Sequence, residues 1–549
     1  GEREEREDDQ LLPPDPEGVL DSEGYAHRDI AIGHLKGFHG RETTLGTLRD
    51  FLRTQDVSLL ILQGEGGTGK SAVLSKSLQQ AKTDFPDSAV VHRFIGATPR
   101  SSDTRSLLRG ICLELCRRNE TAVEDVPEEY KELSRYFQEL LAGAQTRTIL
   151  LLDGLDQLPE GDQGSNLAWL PTGPLENVSI VASVRSGTGA SEKLGARRAK
   201  TLELRGMTAN EGEELLGIWL EGAGRTLRPE QMREVLRSFE GSEGRPLYLR
   251  IAFEEAGRWR SWDPPLALGF GKQIIRNLYD RLGQPDRHGT ALVSAALSYL
   301  AASRHGLSED ELLDALSGDP QVYGAFFRRS CRYHLPHDLV ECARKYLEAG
   351  NPQLDEAEAL RRLAEFRDNP SGFDEFFAGI PLRERPDLPT VLLARLRADL
   401  DPYLTIRSSE GVPLLDFYHR ELREVASDEY LHEKNAAYYH GALARCFRER
   451  ADPDEDKTWK GGGRSLRELP YHLIEAEEWD ELIGDDAAPG VLTDLRYIGA
   501  RSEAGQVYDL TKDYTAALDA LPEFREEREY LARRDETMRR YNAALKEYA

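Results

Sequence analysis

Eight consecutive residues, Gly64-Glu65-Gly66-Gly67-Thr68-Gly69-Lys70-Ser71, have the composition of a loop that holds phosphate. Its glycines let successive backbone N–H groups turn inward around an oxyanion, and the N-terminus of a following helix adds partial positive charge. Lys70 reaches the terminal phosphates and the Ser71 hydroxyl ligates Mg2+. Gly64, Gly66 and Gly69 also satisfy the weaker G-x-G-x-x-G pattern, and Lys70-Ser71 decides between the two. The phosphate-binding set is therefore Gly64, Gly66, Gly67, Thr68, Gly69, Lys70, Ser71 and Ala72. A second constellation follows: the apolar run Thr148–Leu152 ends in Asp153, with Gly154-Leu155-Asp156 behind it. Asp153 is placed to hold Mg2+ beside Ser71, and Asp156 to position or deprotonate an attacking water. Arg185, at the end of the next apolar run, is placed to sense a γ-phosphate. Lys70, Asp153, Asp156 and Arg185 are the candidate catalytic residues, with Ser71 and Asp153 the metal ligands.

Positioning these groups requires a sheet whose strand ends meet. Short apolar runs rich in β-formers lie at Val57–Gln63, Ala89–Ile95, Thr148–Leu152, Val178–Val184 and Thr201–Leu204, separated by amphipathic stretches. That alternation predicts a parallel sheet flanked by helices. After Gly206 helices take over: Thr208 with Glu211 and Ser308 with Glu311 read as capping boxes. Tyr403–Arg407 and Val412–Phe417, flanking Ser408–Gly411, read as a hairpin. Beyond residue 430 successive amphipathic helices are expected, with Leu466, Leu469, Leu473, Trp479, Leu482, Leu492, Leu495 and Ile498 in their core. No fixed-period repeat establishes a superhelix.

The chain has 549 residues, 71 Lys plus Arg against 97 Asp plus Glu, and a net charge of −26. That balance argues against nucleic-acid binding driven by phosphate neutralisation. Five dispersed cysteines do not make a disulfide framework, and no apolar stretch approaches the ~20 residues that span a bilayer. A cytoplasmic location is expected. Cys112 and Cys116, one helical turn apart, read as core thiols. Cys331, His334, His337 and Cys342 could be counted as zinc ligands, but their spacing matches no familiar finger.

A phosphate loop combined with Asp153-Gly154-Leu155-Asp156 resembles the NACHT branch of the STAND nucleotide switches, of the type found in bacterial antiviral and cell-death sensors. Gln157 stands where that family usually has a further acid. Phe38-His39-Gly40-Arg41-Glu42 resembles the element that lines the adenine, which implies nucleotide contacts for Phe38, Gly40 and Arg41. Gly244-Arg245-Pro246-Leu247 resembles the helical-domain motif whose proline packs by the base, here Pro246. Phe417-Tyr418-His419-Arg420 sits where the family's winged helix brings a histidine, here His419, towards the β-phosphate of ADP.

The resemblance implies a multidomain chain. The acidic, Pro-bearing composition of residues 1–32 is that of a linker, and an α/β nucleotide-binding domain (33–205), a P-loop NTPase fold with an ASCE-type parallel sheet, follows it. A helical domain (206–285), a winged-helix domain (286–430) with an insertion at about 338–387, and a C-terminal helical region (431–549) follow. It implies a switch that binds ATP or ADP with Mg2+, hydrolyses ATP slowly and self-associates on activation, in antiviral defence or programmed cell death. An effector at the N-terminal side and a trigger sensed by the C-terminal helices, a phage protein among the candidates, are the expected partners. A transcription regulator binding DNA through its winged helix is the alternative, and a small-molecule phosphotransferase a third, for which no second-substrate site is seen.

Overall fold

The computed structural model describes residues 8, 10–54, 57–159, 162, 164–195, 197–330, 337–346, 356–366, 369–380, 384–409, 412–484 and 488–521. The chain divides into two compact units, Gly1–Arg281 with Pro402–Leu422, and Leu282–Asp401 with Arg423–Ala549.

The first unit is built on five strands, each one of the apolar runs above: β1 (Leu59–Gly64), β2 (Ala89–Phe94), β3 (Thr148–Asp153), β4 (Val178–Arg185) and β5 (Lys200–Glu203). They pair in parallel in the order β2-β3-β4-β1-β5, with β4 between the phosphate-loop strand and the Asp153 strand. Side chains alternate between two buried faces. Leu59, Ile61, Val91, Leu150, Leu152 and Ile180 join the core beneath helices Thr104–Arg118 and Tyr130–Ala142. Leu60, Leu62, Val90, Ile149, Leu151 and Val181 join the opposite core with α1 (Ser22–Leu35), α2 (Glu42–Arg53) and α3 (Lys70–Asp84). Burial on both faces is why β1 to β4 read as continuous apolar runs, whereas the edge strand β5 is exposed at Lys200, Thr201 and Glu203. In register, Gly64 lies opposite Arg185 and Phe94 opposite Asp153, so the carboxyl ends of four strands form one edge.

The linker expected at residues 1–32 is overturned over its described part. Leu12, Ala31, Ile32 and Leu35 are buried in the core of the second face, and Asp21 caps α1 through the Gly24 N–H at 3.0 Å. The edge strand β2 is covered by this helix: the Phe94 N–H donates to His27 Nδ1 at 3.2 Å, so the ring proton sits on Nε2 and goes to Glu23. The acids that suggested a solvated tether are partners of buried cations. Asp15 lies 2.6 Å from Lys82 and 2.7 Å from Arg118. Burial alone pushes the Asp15 carboxyl up, but those two cations outweigh it and hold it below the usual range.

Helices α4 (Ala209–Gly222), α5 (Pro229–Gly241) and α6 (Pro246–Ala256) pack after β5 around Leu215, Leu216, Val235, Phe239, Leu249 and Ala252. The Thr208/Glu211 capping box opens α4. The hairpin expected late in the sequence is present as β6 (Leu404–Ser409) and β7 (Val412–Phe417), antiparallel with Leu404 opposite Phe417. It belongs to the first unit, although the expected domain 286–430 joined it to the preceding helices. Its anchors explain the division: Arg407 donates to the carbonyls of Gly96 and Ala97, each at 3.3 Å, and the Tyr403 hydroxyl donates to Glu255 of α6 at 2.8 Å.

The second unit is helical apart from isolated bridges among its described residues. The Ser308/Glu311 capping box is present, and Glu311 also takes a bidentate ion pair from buried Arg464 at 2.9 and 3.0 Å. Part of the segment read as an insertion is core: Phe373 and Phe377 stack on Phe327 and Tyr323, with centroids 4.6 and 4.5 Å apart. Of the expected C-terminal core, Leu466, Leu469, Leu473, Leu482 and Leu492 are buried, and Trp479 and Ile498 partly so. Leu495 is 81 % exposed. It opens a helix capped by Asp494, and the inward face of that helix is carried instead by Tyr497 and Arg501, the latter paired with Asp513 at 2.8 Å.

Replacing Asp15 by Ala strands two nearly buried cations and should cost about 3 kcal/mol of stability, as breaking buried ion pairs does. Urea denaturation of the wild type and the variant measures this; a loss below about 1 kcal/mol would mean the segment before α1 is not integral to the sheet unit.

Candidate functional site

The phosphate loop turns from β1 into α3 through Gly69, whose φ of 92° is in the left-handed region that other residues enter only with strain. The Lys70 ammonium folds over its own loop, donating to the carbonyls of Gly64 at 2.7 Å and Glu65 at 2.8 Å. Burial pulls Lys70 below its usual range, Asp153 and Asp156 oppose this, and Arg185 adds to it. An anionic ligand would relieve that strain. Thr68 is 3 % exposed and donates to the Glu65 carbonyl at 2.9 Å, and Ala72 lies in the first turn of α3.

Asp153 ends β3 at 6 % exposure, with both oxygens engaged. Ser71 Oγ donates to Oδ2 at 2.6 Å and Ser183 Oγ to Oδ1 at 2.5 Å, while Ser183 Oγ accepts the Gly154 N–H at 2.8 Å. Two hydroxyls and a carboxylate make an all-oxygen donor set, the chemistry of a hard divalent cation such as Mg2+, and Ser71 and Asp153 are the residues that would hold it. Asp156, 7 % exposed, follows in a short turn. Its Oδ1 accepts the Arg185 N–H at 2.9 Å, and its Oδ2 lies 3.2 Å from Arg420 Nη1. The structure thus gathers Lys70, Ser71, Asp153, Asp156 and Arg185 at one sheet edge.

The more distant expected residues arrive differently. Arg41 donates to the Thr68 carbonyl at 2.9 Å and the Arg205 carbonyl at 2.8 Å, bracing the back of the phosphate loop. Phe38 packs on the core beside α1, and Gly40 turns with φ 76° ahead of α2. Pro246 is the first residue of α6, and its neighbour Leu247 touches the loop, its N–H donating to the Gly67 carbonyl at 3.3 Å. His419 Nδ1 accepts the Glu421 N–H at 3.1 Å, which organises the start of the helix Arg420–Tyr430. The side chains that helix start delivers to the site are those of Arg420 and Glu421. Glu421, 2 % exposed, lies so close to Gly66 that any Cβ there would collide with its carboxylate. Tyr248 donates to its Oε2, and Arg245 stands 3.8 Å from its Oε1.

Sequence reasoning missed Ser183, Arg420, Glu421 and Tyr248. Ser183 had a signal, a hydroxyl near the end of the apolar strand beside the Asp153 strand; the others act across long separations. Of the four zinc candidates, Cys331 and His334 lie outside the described residues. His337 is exposed, and the Cys342 thiol donates to the Glu384 carbonyl at 2.9 Å. Among the described residues no group of three or more His, Cys, Asp or Glu could hold a metal ion. Cys112 and Cys116 are fully buried, as expected of core thiols. No described helix is long and apolar enough to cross a membrane.

Ser183→Ala removes a buried donor that orients the Asp153 carboxylate. Outer-shell losses of this kind typically cost ten- to a hundredfold in metal affinity, so the Mg2+ concentration needed for nucleotide binding should rise about tenfold. Mg2+ titrations with a fluorescent ADP analogue test this, and an unchanged midpoint would deny Ser183 that role.

Comparison with known proteins accords with this geometry. A family model described as the NACHT domain matches residues 58–223. The human NACHT domain- and WD repeat-containing protein 1 is 28% identical over 528 residues, covering 87% of this chain and 30% of the relative. The mouse NACHT and WD repeat domain-containing protein 2 is 27% identical over 494 residues, covering 84% of this chain and 25% of the relative. The chain therefore spans less than a third of the length of these relatives. A solved structure of the Aeropyrum pernix Orc1 protein in complex with DNA aligns with 77% of this chain and 97% of its own, at 15% identity and a TM-score of 0.28, too low to bear on function. The phosphate loop, the Asp153 strand and all five strands of the sheet lie within the residues that match the NACHT domain model.

Proposed function

We propose that this chain is a nucleotide-dependent switch that binds ATP and ADP with Mg2+, hydrolyses ATP slowly, and self-associates when released from a closed state. The observation that carries the reading is the return of residues 402–422 to the phosphate-loop edge of the sheet, with Glu421 buried against Gly66. An enzyme needing only turnover has no use for a distant segment packed on its phosphate loop. A switch needs a contact that exists in one state and is absent in the other.

In this reading Lys70 and the loop N–H groups bind the phosphates, and Ser71 and Asp153 hold the metal, which when bound supplies charge neutralisation between the phosphates. Asp156 positions water, Arg185 senses the γ-phosphate, and Phe38, Gly40, Arg41 and Pro246 form the base side. The hairpin β6–β7 is the wing of a winged helix, and His419 reaches the β-phosphate of ADP from its end. Partners at either end of the chain supply trigger and effector, in a cytoplasmic defence or cell-death response. The net charge of −26 speaks against the DNA-binding alternative.

Lys70→Ala should abolish binding of a fluorescent ADP analogue, because the phosphates lose a charge-assisted donor in a buried loop; retained affinity would sink the phosphate-loop reading. Light scattering with ATP in place of ADP should report self-association that this variant lacks. Asp156→Asn should leave nucleotide affinity unchanged and slow turnover by ten- to a hundredfold, measured as phosphate release.

A further inference from the structure

We propose that the segment after the hairpin brakes hydrolysis rather than nucleotide binding, and that Arg420 is the positioning residue through which it acts on Asp156. This rests on Asp156 being the acid that positions water. Hydrolysis forms one bond from water oxygen to the γ-phosphorus and breaks the bond to the ADP oxygen, and the proton from water passes to Asp156 and then to the released phosphate. Asp156 must therefore offer a lone pair of adequate proton affinity to that water.

In the structure each oxygen already has a partner. Oδ1 accepts the Arg185 N–H at 2.9 Å and Oδ2 faces the Arg420 guanidinium at 3.2 Å. The first contact is local, made by the backbone at the end of the neighbouring strand. The second comes from 264 residues away and exists only while the hairpin segment is seated. A guanidinium at that distance fixes the orientation of the carboxylate and occupies one of its acceptor sites.

Arg420 is itself half exposed, yet the residues around it are not. Phe417 is 3 % exposed, Glu421 2 % and Leu422 fully buried. Tyr248 donates to Glu421, and the Tyr279 hydroxyl donates to the Leu422 carbonyl at 2.9 Å. Arg407 and Tyr403 pin the hairpin before it. The seat is built from buried contacts, while the group it presents to Asp156 stays at the surface. The Arg420→Ala variant keeps all of these buried contacts of the seat. The phosphate-binding groups have other partners, Lys70 with the loop carbonyls and Ser71 with Asp153, so the brake falls on the chemical step.

The test compares ATP turnover in wild type, Arg420→Ala, Arg420→Lys, Asp156→Asn and the Arg420→Ala/Asp156→Asn double variant. A fluorescent ADP analogue reports binding. Arg420→Ala should raise kcat about tenfold with KM and analogue affinity within twofold of wild type. Arg420→Lys should keep the low rate, and the double variant should show no gain. If Asp156→Asn slows turnover but Arg420→Ala leaves kcat unchanged, or changes affinity instead, the brake is wrong and the role of Asp156 stands. If Asp156→Asn turns over at the wild-type rate, the reading of Asp156 falls, and the proposal with it.

Discussion

A carboxylate buried at the end of a strand needs donors for its oxygens, and Asp153 imposes that requirement on everything around it. Its partners come from two other strands' continuations: Ser71 from the helix that β1 feeds, and Ser183 from within β4. Those donors reach it because β4 is inserted between β1 and β3. With the registers that pair Leu152 with Ala182 and Gly64 with Arg185, Ser183 lies one residue past the Leu152 level, beside Asp153. Strand order, register and the phosphate loop are therefore parts of one arrangement. A one-residue slip of β4 would turn Ser183 to the other face and leave Asp153 short of a donor.

Much of this was legible because buried parallel strands write themselves as uninterrupted apolar runs. All five strands fall within about two residues of those runs, and the phosphate loop and Asp153 follow from motifs whose chemistry is local. The capping boxes at Thr208 and Ser308 were legible for the same reason, each being complete within four residues. What escaped was non-local. Asp15 and Glu23 look like solvating charge until Lys82, Arg118 and His27 are seen beside them. Leu495 looks like core until helix phase turns it outward and brings in Arg501, a residue no hydrophobic pattern would place there.

The same distinction separates the two shells of the site. Lys70, Ser71, Asp153 and Asp156 belong to the strand ends, and their spacing carries their chemistry. Arg420 and Glu421 belong to a segment reached only after the chain has passed through the helices between residues 282 and 401. Resemblance drew attention to His419 in that stretch. The structure gives His419 a part in organising the helix start, while its two successors contact the site. Gly66 illustrates the consequence: a glycine read as serving phosphate also leaves room for the Glu421 carboxylate, so one position answers to both the ligand and the returning segment.

Seating and braking are also separable energetically. Exposed ion pairs are worth about 0–1 kcal/mol because water screens them, so the pair between half-exposed Arg420 and Asp156 adds little to the closed state. The seat differs: Glu421 is buried with an oxygen that accepts no hydrogen bond, held by Tyr248 and by Arg245 at 3.8 Å. A charged hydrogen bond of about 1.5–3 kcal/mol offsets part of the cost of burying that carboxylate, and the remainder must come from packing around Phe417 and Leu422. Whatever loosens that packing withdraws Arg420 as well, since Arg420 and Glu421 are consecutive residues of one helix start. A contact too weak to hold two elements together can still fix the orientation of a carboxylate, provided stronger contacts beside it decide when it is present.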